Sequence, residues 1–134
     1  MENVENVVPI TEAQNKDEEQ EEEVRPIVLR LKNTKEVFTL EFNRESVKFA
    51  EQHGFIVDEV DKYMMNGILD IFWYSFRMHH PRISKEQAER ILCDELGGMP
   101  KGMLTRLGKL YNKPFKALIS DSEEVKNPNV TVEM

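Results

Sequence analysis

The sequence predicts an α+β domain, mostly α, in which an N-terminal β-hairpin packs on four to five helices. Three observations carry this. Two apolar runs of period 2 flank a short polar loop near residue 34. Cap residues and glycines punctuate the chain downstream. Apolar residues recur at helical spacing between Val60 and Tyr111.

In the hairpin, Ile27, Leu29 and Leu31 alternate with Val28, Arg30 and Lys32, and Phe38, Leu40 and Phe42 alternate with Val37, Thr39 and Glu41. Asn33-Thr34-Lys35-Glu36 joins the runs. One face is apolar, and an isolated hairpin is marginal in water, so this face must pack on helices. Asn43 is a suitable N-cap for a first helix to about Gln52, which Gly54 ends. Asp58 opens a second helix, expected to run to about His79, before Pro81. Ser84 with Gln87 forms a capping box for a third, stopped by Gly97-Gly98. Pro100 suits the first turn of a fourth, to about Tyr111. Met103, Leu104, Leu107, Leu110 and Tyr111 form its single apolar stripe. Pro114 bends or restarts the chain, and Phe115, Leu118 and Ile119 are expected to finish the core.

Charge divides the 134 residues into three parts. Residues 1–24 carry nine acids against Lys16 alone, and residues 120–134 carry Asp121, Glu123, Glu124 and Glu133 against Lys126. Residues 25–119 are mildly basic, with 16 bases and 12 acids. The run Asp17-Glu18-Glu19-Gln20-Glu21-Glu22-Glu23 has nothing apolar to bury, so a disordered acidic leader is expected over 1–24. A single domain over 25–119 and a flexible acidic tail over 120–134 complete the division. Membrane-spanning, disulfide-rich and collagenous classes are excluded by short apolar runs and one cysteine, Cys93. The acidic start Met1-Glu2-Asn3 does not read as a targeting peptide, and a cytoplasmic location is the expectation.

The second helix is the unusual element. At about 100° per residue, Val60, Met64, Ile71, Tyr74 and Met78 share one side, with Ile68 and Phe72 adjacent, and Met65, Leu69 and Phe76 carry the apolar surface further round. Only Asn66, Asp70 and Arg77 form a polar strip, bordered by Trp73. A helix apolar almost all round must be covered almost all round. Either the domain encloses it completely, or a side bearing Met65, Leu69, Trp73 or Phe76 is covered by another subunit or an apolar client, for which Met and aromatic residues are suited.

Catalytic and ligand-binding signatures are weak. Adjacent helical residues point about 100° apart, so His79 and His80 do not converge on a metal; they read as a pair at a helix C-terminus. Cys93, beside Asp94 and Glu95, reads as an inert thiol. Gly97-Gly98-Met99-Pro100-Lys101-Gly102 lacks the spacing of a phosphate loop. No catalytic, cofactor or metal residues are expected. Residues 84–111 resemble a helix-turn-helix in outline, so a small DNA-binding regulator is the alternative. The expected reading helix offers only Lys101 at its start, and acidic ends oppose phosphate.

A family resemblance enters through ordered short motifs. Leu40-Glu41-Phe42-Asn43-Arg44-Glu45-Ser46-Val47 resembles the opening of small tail proteins of long-tailed phages and prophages. His53-Gly54-Phe55 is similar to the group's Gly-Phe element, and Ile71-Phe72-Trp73-Tyr74-Ser75-Phe76-Arg77-Met78-His79-His80 to its aromatic run ending in Phe-x-x-x-His. Leu96-Gly97-Gly98, Arg106-Leu107-Gly108-Lys109-Leu110-Tyr111 and Phe115-Lys116-Ala117-Leu118-Ile119 complete a likeness over about 37–119. The acidic leader and Pro114 depart from it. The resemblance implies a non-enzymatic tail assembly chaperone that holds the helical tape-measure protein and aids tail-tube assembly. Self-association stays open as another way to cover the second helix, and no nucleic-acid or membrane partner is expected. The candidate partner-binding residues are Met65, Leu69, Trp73 and Phe76 on the second helix, with Met99 and Met103 nearby.

Overall fold

A computed structural model describes residues 24–119 and 125–134. Apart from Val24, the expected leader lies outside the described residues, as does 120–124. Among the described residues the architecture is an antiparallel hairpin followed by four helices. Strands β1 (Ile27–Arg30) and β2 (Val37–Leu40) pair with Ile27 opposite Leu40 and Leu29 opposite Phe38. As the alternation requires, Ile27, Leu29, Leu31, Phe38, Leu40 and Phe42 are all buried.

Helix α1 (Arg44–Gln52) begins at Asn43, whose Oδ1 accepts the Ser46 N–H at 2.8 Å while Ser46 Oγ accepts the Asn43 N–H at 2.9 Å. It ends in a Schellman turn: Gly54 (φ 87°) donates to the Glu51 carbonyl and Phe55 to that of Ala50, both at 3.0 Å. Only glycine adopts this left-handed geometry without steric cost, and the reversal brings Phe55 back into the core.

The expected continuous helix from Asp58 to His79 is not formed. A 3-10 turn (Val57–Glu59) comes first, and helix α2 covers only Met64–Tyr74. Two tertiary contacts explain the difference. The buried Val60 turn folds against Gly67, so closely that a Cβ at 67 would lie 2.8 Å from Val60 Cα. At the other end, the Ser75 carbonyl accepts the Glu41 N–H at 2.9 Å, at the exit of the hairpin. The chain beyond it tightens to i→i+3 bonds, with Phe76 donating to Trp73 and Arg77 to Tyr74.

Helix α3 (Lys85–Arg90) carries the expected Ser84–Gln87 capping box and continues as a π-helical turn over Ile91–Glu95. Helix α4 (Met103–Asn112) starts three residues later than Pro100, because Gly102 takes φ 87° and the Pro100 carbonyl is used in a turn by the Met103 N–H. Pro114 lies in a closing 3-10 segment, Lys113–Ala117. Leu118 and Ile119 are exposed and Phe115 is half-buried, so the core is finished instead by Tyr111, with Leu107 and Leu110. The Tyr111 ring meets Phe42 at 5.0 Å and Phe55 at 5.3 Å between centroids, joining hairpin, α1 and α4.

Candidate functional site

The Val60–Gly67 contact determines what α2 exposes. It turns the preceding chain so that Tyr63, Met64 and Met65 stand at the helix start with 56%, 52% and 91% of their surfaces open. Ile56, at the entry to the 3-10 turn, is also exposed. Further along, Gly67, Ile71, Phe72 and Tyr74 face inward. The open apolar surface is therefore the first turn of the helix rather than one full side.

The six sequence candidates separate accordingly. Met65 is the most open of them. Leu69, Trp73 and Met99 are half-buried against the core. Phe76, 1% exposed, and Met103, 8% exposed, lie in the core and offer no surface to a partner. Phe76 sits beyond the end of α2, with its ring 5.4 Å from Phe38 and 5.1 Å from Phe72. Met103 belongs to the buried stripe of α4. Trp73 is fixed by its indole N–H, which donates to the Ile83 carbonyl at 2.9 Å. Its neighbour Asp70 pairs with Lys85 Nζ at 2.7 Å, and the same ammonium stands 5.8 Å from the Trp73 ring centroid. These contacts dock α3 on α2. Tyr63, Met64 and Ile56 were missed from sequence, although the adjacent polar residues Asp58, Asp61 and Lys62 were a signal that this end faces solvent.

A second surface is a groove of about 400 Å³ between α1 and the segment after α2, lined in part by Asn43, Lys48, Phe49, Gln52, Arg77 and Met78. Within this lining the Arg77 guanidinium lies 3.7 Å from the Phe49 ring centroid, a cation–π contact.

The histidine pair has a structural assignment different from a helix-dipole contact. Both residues follow α2 and hold the outer edge of β2. His80 Nε2 accepts the Thr39 N–H at 2.9 Å, so the bonded ring is neutral at that nitrogen. His79 Nε2 lies 2.8 Å from Glu41 Oε1. Burial, and then the neighbouring His79, push the His80 pKa below the usual histidine value. Burial also raises Tyr74, and raises Tyr111 to about 12, with smaller contributions from the acidic charges Asp70 and Glu51 respectively. Among the described residues no three His, Cys, Asp or Glu side chains converge as a metal site, and no helix is long and apolar enough to cross a membrane.

No curated protein and no solved structure matches the chain. A family model described as a domain of unknown function, DUF5055, matches residues 17–134, so this α+β chain belongs to the DUF5055 family.

Proposed function

We propose that this protein is a non-catalytic phage tail assembly chaperone, which holds the tape-measure protein in the host cytoplasm and aids tail-tube assembly around it. The observation that carries the reading is the exposed turn Tyr63-Met64-Met65 at the start of α2. Flexible thioethers beside an aromatic ring suit an irregular apolar helix, because methionine adapts to unlike partners at little cost. Most of the remaining apolar surface of α2 is already committed to the core. Holding is stoichiometric, and release follows from competition by tail-tube subunits for the client. The acidic ends keep the loaded complex solvated. The helix-turn-helix alternative draws less support: the first residue of α4, Met103, is buried, and the exposed Lys101 precedes the helix.

Co-expression with a cognate tape-measure fragment tests the reading. The wild-type chain should keep the fragment soluble in a defined complex, and Met64→Asp/Met65→Asp should lose it while retaining its circular dichroism. Absence of a wild-type complex, or equal holding by the variant, overturns the proposal.

A further inference from the structure

The hairpin has two edges, and they are treated differently. Thr39 and Glu41 turn their N–H groups away from β1, to His80 and to the Ser75 carbonyl. Their direction sets that of the opposite strand. Val28 faces Thr39 and Arg30 faces Val37 as non-hydrogen-bonded pairs, so both β1 residues direct N–H and C=O outward. Among the described residues no other element's backbone pairs with these groups. Among the described residues the β1 edge is an open template, and its outer face adds the exposed valines Val28 and Val37.

The C-terminal tail also contains a segment of strand-like composition. Asn129-Val130-Thr131-Val132-Glu133 is β-branched and alternating. It runs exposed and belongs to no sheet, and within the described residues its backbone bonds only to Asn127, Asn129 N–H donating to the side-chain Oδ1 and Val130 N–H to the carbonyl. The family match nevertheless includes this tail. Charge is complementary: β1 ends in the exposed Arg30 and is flanked by the exposed Arg25 and Lys32, whereas the tail carries Glu133 and follows Asp121, Glu123 and Glu124.

We propose that residues 129–133 of one copy add as a third strand to the β1 edge of a second copy. The outward groups of Val28 and Arg30 supply the ladder, and Val130 and Val132 extend the valine face beside Val28. The contact is heterologous, because edge and tail are different surfaces. It therefore propagates head to tail into chains or rings unless a partner ends it. This goes beyond the chaperone reading and does not depend on it.

Sedimentation velocity over a concentration series tests the proposal, using the full chain, a variant ending at Pro128, and Val28→Pro. The proline removes an edge N–H that the β1–β2 ladder does not use, so the hairpin is retained. The full chain should form a concentration-dependent series of oligomers, and each variant alone should be monomeric. Mixed together, the two should give a species that stops at two copies, because one contributes only a tail and the other only an edge. If Val28→Pro does not fold, a peptide of residues 127–134 added to the chain ending at Pro128 replaces it and should bind one to one. A full chain that stays monomeric, variants that assemble like the full chain, or a mixture and peptide that both fail to bind overturn the proposal.

Discussion

Gly67→Ala and Gly108→Ala make the same chemical change in two helices and should have opposite effects on stability. Replacing glycine by alanine within a helix gains about 1 kcal/mol, because the unfolded chain loses conformational freedom. At 108, in α4, the new methyl meets no heavy atom within 4 Å, so that gain should be realised as about 0.5–1 kcal/mol. At 67 the methyl would lie 2.8 Å from Val60 Cα and 3.2 Å from both Val60 Cγ1 and the Val60 carbonyl oxygen. Two of these three atoms are backbone and cannot rotate aside. Relief requires the whole Val60 turn to move, and overpacking of this kind costs about 1–3 kcal/mol. The clash outweighs the propensity gain, leaving a net loss of about 1 kcal/mol. The two variants should differ by about 2 kcal/mol, or roughly 8–16 °C in Tm for a domain of this size. Urea unfolding with unchanged slope measures the difference. If Gly67→Ala proved as stabilising as Gly108→Ala, the account of why α2 starts at Met64 would be wrong.

Further outcomes follow from other contacts. His80 has a lowered pKa in the fold, so the unfolded chain takes up a proton first as pH falls. Its contribution to stability should be complete above about pH 6.5, decline as pH falls through the depressed folded value, and be absent in His80→Phe, as read by urea midpoints across that range. Asn43→Ala should cost about 1 kcal/mol by removing one half of the α1 capping box, measured by the same unfolding assay. Leu107→Ala, at a fully buried position of α4, should cost about 2–5 kcal/mol in urea unfolding. The Tyr111 phenolate should appear near pH 12 in the fold but near pH 10 after denaturation, followed by ultraviolet absorbance.

Features set by neighbouring residues were legible in the sequence. The hairpin with its alternating buried face, the Asn43 and Ser84 caps and the Gly54 reversal all depend on residues a few positions apart. The interruption of the second helix depends on pairs that sequence does not reveal, Val60 with Gly67 and Glu41 with Ser75. The same reason separates the surface candidates. A wheel at about 100° per residue describes Met65 because it lies within α2. Phe76 lies past Tyr74 in tighter i→i+3 turns, where that phase no longer holds, and it points inward. The wheel also gives an angle without saying what covers it, so it could not distinguish the half-buried Leu69 and Trp73 from the open Met65.

The short stretch from Ser75 to Pro81 serves two neighbours at once. On one flank it supplies the carbonyl and imidazole that latch the hairpin, and on the other it forms a wall of the 400 Å³ groove through Arg77, Met78 and Pro81. Seven residues with that double duty leave little slack. Anything that wedges the groove wider strains the latch, and anything that frees the latch reshapes the groove.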